Sequence, residues 1–131
     1  MIKMILKIFF ALLLISCFGC SDNPSARAKA FMKNAYTGNN MQSEEWLTKA
    51  GQSSRLFNAF GGLEALVKTC SNEAKRNQGL KTINIISIKQ ENNLTLIETE
   101  VVFNNNTKST SIGAWIKEDD KWKMTPNEDE E

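Results

Sequence analysis

Residues 80–103 read LKTINIISIKQENNLTLIETEVVF, and this stretch decides the fold. β-Branched residues dominate both of its halves, and Asn92–Asn93 separates the halves with residues typical of a tight turn. The second half alternates with the period of a half-buried strand and places four residues on one face: Ile97, Thr99, Val101 and Phe103. In the first half Ile85 and Ile86 are adjacent, which predicts either a strand buried on both faces or a β-bulge. The stretch therefore predicts an antiparallel hairpin.

Two further strands are predicted downstream of this hairpin. Residues 109–117 alternate again, and we expect three of them to face the core: Ile112, Ala114 and Ile116. Trp115 then lies on the opposite face. It is either an outer-surface aromatic residue that marks a partner contact, or part of a second small core or a cross-strand pair. An acidic turn leads to a last short strand at 122–124, which Pro126 ends.

Upstream of Gly79 the apolar spacing changes from two residues to between three and four, which predicts helices. In the first helix, Ser25 is the expected N-cap and Gly38 the stop. Its apolar stripe consists of Ala28, Phe31, Met32, Ala35 and Tyr36. Helices followed by a meander of about four antiparallel strands indicate an α+β fold.

Three more segments lie between this helix and the hairpin. Residues 63–76 predict a second long helix, whose stripe consists of Leu63, Leu66, Val67, Cys70 and Ala74. A short helix is expected at 41–48. The secondary structure of residues 50–62 is ambiguous. Leu56, Phe57 and Phe60 are candidates for the core, but Gly51, Gly61 and Gly62 would interrupt a helix.

The chain opens with features of an export signal. A basic start containing Lys3 and Lys7 leads into the unbroken apolar run Ile8–Ile15, which is too short to span a bilayer as a helix. A cysteine and the polar segment 21–25 follow at once, which resembles the lipobox of bacterial lipoproteins; a plain signal peptide with incidental cysteines is the alternative. We expect a lipid-anchored protein of the cell envelope that faces the periplasm from the inner or outer membrane.

These boundaries divide the chain into four parts. We expect a lipoprotein signal peptide at 1–19, a linker at 20–25, one domain at 26–126 and a solvated acidic tail at 127–131.

The lipid-bearing residue is either Cys17 or Cys20. Leu14-Ile15-Ser16 before Cys17 fits the usual lipobox, whereas Cys20 gives a more typical signal length and has a glycine at the cleavage position. If Cys17 carries the lipid, Cys20 and Cys70 remain as a pair that an oxidising periplasm could join. If Cys20 carries it, Cys70 is a buried single thiol, which is the interpretation we favour.

Charge and composition exclude several function classes. The formal net charge is +1, which gives no reason to expect nucleic acid as a partner. The chain contains no histidine, so it has no Ser-His-Asp triad, no Cys-His pair and no imidazole ligand. No cofactor and no metal site are expected.

The order of elements resembles the NTF2-like superfamily, whose helices pack into a curved antiparallel sheet. More narrowly, the chain resembles the small lipoproteins grouped as a domain of unknown function, DUF4878, of lumazine-binding-like type. Six stretches carry the resemblance: Ser21–Pro24 after the lipobox, Ala28–Met32, Gly38–Asn39, Gly61–Glu64, Gly79–Ile83 and the hairpin Ile116–Met124. One departure is Asp120, where the family often has glycine, and this strains the last turn. The resemblance implies a cone-shaped domain.

Catalysis is not expected of this cone. The family's enzymes use a pocket Asp, His or Tyr, but here Glu98 and Glu100 more simply face water on the strand face opposite the core. Tyr36, the single tyrosine, is expected to pack in the core with its hydroxyl in contact with water.

Two hypotheses of binding remain. The first is a non-catalytic protein-interaction module that engages the membrane through its lipid and an envelope protein or a second copy through its surface. The alternative is a small-ligand binder whose apolar pocket is lined by Phe31, Phe57, Phe60 and Ile97. An open apolar cavity of roughly 300 Å³ or more favours the ligand binder. A cone filled by Phe57, Phe60 and Trp46 favours the interaction module.

Overall fold

The computed structural model describes residues 23–126, in which short and long helices precede a four-stranded sheet. The helices are α1 (Pro24–Thr37), α2 (Ser43–Trp46), α3 (Lys49–Gln52), α4 (Arg55–Ala59) and α5 (Gly62–Arg76). The strands are β1 (Leu80–Glu91), β2 (Leu94–Phe103), β3 (Lys108–Glu118) and β4 (Lys121–Thr125). No helix within 23–126 combines the length and the apolar character needed to cross a membrane. The predicted α+β architecture is confirmed.

The first helix begins earlier than its sequence predicts. Asn23, not Ser25, is the N-cap: its side-chain oxygen accepts a hydrogen bond from the Ser25 backbone N–H at 2.7 Å. Pro24 occupies the first helical position, where its fixed φ suits the helix and its missing N–H costs nothing. The helix ends as predicted at Gly38, which takes a left-handed φ of 78°.

The ambiguous stretch between the two long helices resolves into two short helices with polar caps. The Thr48 hydroxyl accepts from the Gly51 N–H at 3.0 Å to start α3, and the Ser54 hydroxyl accepts from the Phe57 N–H at 3.3 Å to start α4. Gly61 then enters α5 at φ 104°, where an added Cβ would lie 2.6 Å from the Ala65 Cβ. The glycine therefore permits the sharp α4–α5 corner.

The sheet has the order β1-β2-β3-β4, and each neighbouring pair is antiparallel. The β1–β2 register shifts between Ile85 and Ser87, so the adjacent isoleucines mark a bulge. At the β3–β4 turn, Asp119 and Asp120 both have positive φ, of 56° and 63°. This is the geometry of a tight two-residue hairpin turn, in which glycine is the less strained residue.

The predicted facing of β3 is wrong. Trp115 lies opposite Thr95 on the inner face and is only 1% exposed, whereas Ile112 lies opposite Glu98 and is 66% exposed. Cross-strand partners share a face, so the inward face of β2 fixes that of β3. Ile112, Ala114 and Ile116 therefore point to the outer side, and Trp115 is not on the outer surface. It belongs to the main core.

The core consists of two adjoining clusters between the helices and the sheet. The first is built from Ala28, Phe31, Trp46, Leu47, Leu63, Ile97 and Trp115. The second is built from Ala35, Tyr36, Ala74, Ile83, Val101 and Phe103. The Phe31 ring lies 5.7 Å from the rings of both Trp46 and Trp115. These three aromatic rings fill the interior of the cone.

Arg27 ties the first helix to the far side of the sheet. Its guanidinium lies 3.7 Å from the centre of the Trp46 ring and donates to the Trp122 carbonyl at 2.9 Å. It also donates to the Glu45 carbonyl and pairs with the Glu45 carboxylate, which Lys121 holds from the other side at 2.9 Å. Hydrogen bonds from Lys121 and Arg27 hold the pKa of Glu45 below its usual range. The N-terminal end of α1 is therefore fixed beside the start of β4.

Candidate functional site

A length mismatch between β3 and β4 creates the candidate site. β4 pairs with β3 only over Ala114–Glu118 and ends at Thr125, opposite Ala114. The remaining part of β3, residues 108–113, is paired with β2 alone in the described sheet. Near the end of β4, the strand edge that faces away from β3 is covered, because the Thr48 N–H donates to the Met124 carbonyl at 3.0 Å.

An open cavity of about 520 Å³ lies where β4 stops, between the end of the sheet and α4. We refer to it as the β4-end groove. Its lining is Leu47, Gly51, Ser54, Leu56, Phe57, Phe60, Leu96, Ile112, Gly113, Ala114, Met124, Thr125 and Pro126. Three of these side chains project into solvent: Leu56 is 52% exposed, Ile112 66% and Phe60 75%. Exposed apolar side chains grouped at one groove indicate a contact surface.

The polar groups of the groove are already satisfied. The Ser54 hydroxyl caps α4, and the hydroxyls of Thr125 and Thr48 lie 3.1 Å apart in a hydrogen bond. Among the described residues that line the groove, none carries a titratable side chain. The groove can therefore bind an apolar group, but its walls offer no general acid, base or activated nucleophile.

The predicted pocket residues separate into two sets. Phe57 and Phe60 line the β4-end groove, whereas Phe31 and Ile97 lie in the core at 2% and 1% exposure. The cavity volume of about 520 Å³ lies within the range of small-ligand sites, roughly 300–1,000 Å³, so it favours the ligand-binding alternative. Sequence reasoning missed Ile112, because the facing of β3 was inverted.

The two strand glutamates lie away from the groove and have cross-strand partners. Glu98 accepts from the Ser87 hydroxyl at 3.2 Å, and Glu100 accepts from the Asn84 amide at 3.0 Å, both on the outer face of the sheet. Lys108 lies 3.8 Å from Glu100. Neither carboxylate lines the groove, and this ladder of polar contacts is explained by cross-strand pairing.

Tyr36 and Cys70 form a buried polar contact in the second core cluster. Burial raises the pKa of the Tyr36 hydroxyl, which also interacts with Ser109 and the Cys70 thiol. Burial likewise raises the pKa of Cys70 above its ordinary value. Both groups are therefore held in their neutral forms, and the thiol lacks the lowered pKa of a reactive cysteine.

The predicted lipidation site cannot be placed in this geometry, because Cys17 and Cys20 lie outside the described residues. Within residues 23–126, Cys70 is a free thiol on the stripe of α5, half-buried against the core as its spacing predicts. The prediction of a tether therefore rests on the sequence.

Comparison with known proteins places the chain in a family. The profile described as "Domain of unknown function (DUF4878)" matches residues 15–125. The chain belongs to this family. As the resemblance in the sequence implies, the DUF4878 domain has helices packed against an open four-stranded antiparallel sheet, which is the NTF2-like α+β fold.

A solved structure supports the same assignment. The crystal structure of a Campylobacter jejuni protein, named there as a candidate NTF2-like transpeptidase, resembles this DUF4878 domain with a TM-score of 0.67 and 26% identity. The likeness covers 80% of this chain and 99% of the other. Among curated proteins, none matches the chain.

Proposed function

We propose that this DUF4878 protein is a membrane-tethered binding domain of the bacterial envelope that holds an apolar ligand without changing it covalently. The single observation that carries the proposal is the β4-end groove: about 520 Å³, lined by apolar side chains, with no titratable residue among them. Binding sites of this size are typically apolar with few oriented polar groups.

The proposed location rests on the leader and its cysteines. A basic start, a short apolar run and a cysteine at 17 or 20 support export and lipidation. Intact-mass analysis of membrane extracts tests this: we expect a mature chain that begins at one of the two cysteines and carries a lipid adduct. A protein that retains Met1 and lacks the adduct would remove the tether from the proposal.

The absence of catalysis is proposed from the chemistry of the described residues. Acyl transfer of the kind that the name of the Campylobacter jejuni protein implies requires an activated nucleophile with a nearby base. Cys70 has a raised pKa and lies against Tyr36 in the core, away from the groove lining. Of the two hydroxyls in the groove wall, Ser54 caps a helix and Thr125 is hydrogen-bonded to Thr48, and neither has a titratable neighbour in the lining.

Binding can be measured with a fluorescent apolar probe. N-Phenyl-1-naphthylamine should brighten on entering the groove of the full chain, and Phe60→Asp should abolish most of the signal because Phe60 is 75% exposed within the lining. Ile88→Asp is the matched control, since Ile88 is 54% exposed but outside the lining. Equal binding by both variants would refute the groove as the binding site.

The interaction-module hypothesis remains as a second candidate because the apolar side chains at the groove are so exposed. Small-molecule sites bury most of their ligand, whereas Leu56, Ile112 and Phe60 leave half or more of their surface in solvent. Side chains of that exposure suit contact with a larger partner, either an envelope protein or a second copy. Crosslinking and pull-down from native envelopes, compared between the wild type and Phe60→Asp, test this candidate.

A further inference from the structure

The solvent-exposed side of α1 is basic and carries no acidic residue. Residues three and four positions apart lie on the same side of a helix. The exposed residues at this spacing are Ala26, Lys29, Ala30, Lys33 and Thr37. The other side of α1 carries Ala28, Phe31 and Ala35, which are buried in the core. We refer to the five exposed residues as the basic face of α1.

The two lysines of this face do not stabilise the helix. Lys29 and Lys33 are four residues apart, so two like charges are neighbours on the helix surface, which is slightly destabilising. Neither lies in the last turn, where a cation favours the helix dipole, and the first turn has no acid. Within residues 23–126, neither ammonium group has a hydrogen-bond or ion-pair partner. Helix stability therefore does not explain these lysines.

Other cations of the two long helices have local explanations. Arg27, two residues before Lys29, projects from a different side of α1 and pairs with Glu45. On α5, Lys68 follows Glu64 by four residues, which is a favourable spacing for opposite charges. The two basic residues in the last turn of α5 favour its dipole. The charge of the basic face is thus the one that points to an anionic partner.

The chain before α1 indicates which anionic partner this face meets. If Cys20 carries the lipid, two residues separate it from Asn23, so α1 begins within about 10 Å of the bilayer surface; Cys17 would add about 10 Å. At about 1.5 Å per residue, Lys33 lies about 15 Å further along the helix. The tether holds the face beside the bilayer, so a weak attraction is enough for contact. Each cation at an anionic surface favours the docked state by about fivefold, and two favour it by about 25-fold.

We infer that the basic face of α1 lies against the anionic lipid headgroups of the membrane to which the protein is tethered. This inference rests on the tether of the proposed function and adds an orientation to it. Because α1 packs on the inner side of the sheet, its exposed side faces the bilayer while the outer face of the sheet is turned away from it. Glu98 and Glu100, on that outer face, are then kept away from the anionic headgroups.

The first test uses the lipidated mature chain in vesicles of phosphatidylcholine, with or without about one third phosphatidylglycerol. Acetylation by acetic anhydride, followed by mass spectrometry, measures how accessible each lysine is. We expect Lys29 and Lys33 to react at least about threefold more slowly when phosphatidylglycerol is present, and the difference to disappear at about 0.5 M salt. Lys81 and Lys89 are matched controls, because both are exposed on β1, and their reactivity should not change.

A second measurement follows the distance between the domain and the headgroups. Energy transfer from the three tryptophans to a dansyl-labelled lipid headgroup should be higher in vesicles with phosphatidylglycerol than without it. Lys29→Gln/Lys33→Gln should lower the transfer to the phosphatidylcholine level. Lys81→Gln/Lys89→Gln removes the same charge from the sheet and should keep the wild-type transfer. All four lysines are exposed, so neither double variant disturbs the core.

Each result decides the inference. Equal acetylation of Lys29 and Lys33 in both kinds of vesicle, or equal transfer by the two double variants, would overturn it. Protection of these lysines by soluble poly-glutamate but not by phosphatidylglycerol vesicles would indicate an acidic protein partner and would overturn it too. A chain that floats with neither kind of vesicle has no lipid anchor, and the proposed tether then fails together with the inference. If the chain floats with both but does not respond to phosphatidylglycerol, the tether stands and only the orientation is wrong.

Discussion

Replacing Trp115 and Ile112 separately with alanine tests which face of β3 points into the protein. Trp115 is 1% exposed and contacts the Phe31 ring edge-on at 5.7 Å, whereas Ile112 is 66% exposed. Gly113 shapes the same site, since an added Cβ there would lie 3.0 Å from the indole nitrogen of Trp115. The missing side chain of Gly113 therefore leaves room for the Trp115 indole.

The two substitutions should differ severalfold in their effect on stability. Truncating a buried large aromatic side chain to alanine costs about 3–5 kcal/mol, and the lost ring pair adds about 0.5–1.5 kcal/mol. Ile112 keeps two thirds of its surface in solvent, so Ile112→Ala should cost less than about 1 kcal/mol. Against a typical total of about 5–15 kcal/mol, Trp115→Ala removes a large share of the free energy of unfolding.

Urea unfolding followed by far-ultraviolet circular dichroism measures both variants without relying on tryptophan fluorescence. With a slope of about 1–3 kcal/mol per molar urea, Trp115→Ala should lower the midpoint by roughly 2 M, and Ile112→Ala by a few tenths. If Trp115→Ala does not fold, Trp115→Phe gives a smaller loss in the same direction. A larger loss for Ile112→Ala than for Trp115→Ala would refute the described facing of β3.

Three further predictions concern single groups. Arg27→Gln should cost about 1–3 kcal/mol in urea unfolding because it leaves two carbonyls without their charged donor, while the exposed Lys29→Gln control should stay within about 0.5 kcal/mol. Asp120→Gly should raise stability by roughly 0.5–1 kcal/mol, because φ is 63° at this position; a loss would contradict the strain. Folding raises the pKa of both Tyr36 and Cys70, so the unfolded chain loses these protons at lower pH than the folded chain does. The free energy of unfolding should therefore be constant below about pH 8.5 and fall as pH rises towards about 11. Unfolding at stepped pH checks this, and Tyr36→Phe should flatten the fall.

The sequence predicted those elements whose pattern depends on local spacing. The alternation at 94–103 gave β2 from end to end, and the adjacent Ile85 and Ile86 marked the bulge of β1. The stripes of the two long helices were confirmed, since the periods of two and of nearly four residues follow from backbone geometry. These features require no knowledge of the partner element.

The facing of β3 and the groove could not be predicted in this way. Alternation sorts residues into two faces but does not say which face is inward. Three aliphatic residues on one face of β3 favoured that face as the core, whereas the pairing of Trp115 with Thr95 places Trp115 inside. The groove depends on where β4 stops relative to β3 and on the packing of α4. Both are tertiary properties, which explains why Phe57 and Phe60 were found and Ile112 was missed.

The proposed lipid tether would limit where the groove can meet a partner. If Cys20 carries the lipid, only two residues separate it from Asn23, so α1 begins within about 10 Å of the bilayer surface. Arg27 fixes this end of α1 to the Trp122 carbonyl, and the chain from there to Pro126 spans about 13 Å. If Cys20 carries the lipid, the rise of α1 from Asn23 to Arg27 and the length of the Arg27 side chain add to these distances, and the groove lies within roughly 40 Å of the membrane surface.

A partner of the groove would then have to lie close to the same membrane. Inserting a 20-residue Gly-Ser linker before Asn23 adds an average reach of about 25 Å without touching the described domain. We expect naphthylamine binding to stay unchanged, while crosslinks formed through the groove in native envelopes lose their membrane-proximal partner or extend to others. The same crosslinked partners at the same yield with the long linker would show that the short tether does not select the partner, because the groove would then meet it equally well at the greater distance.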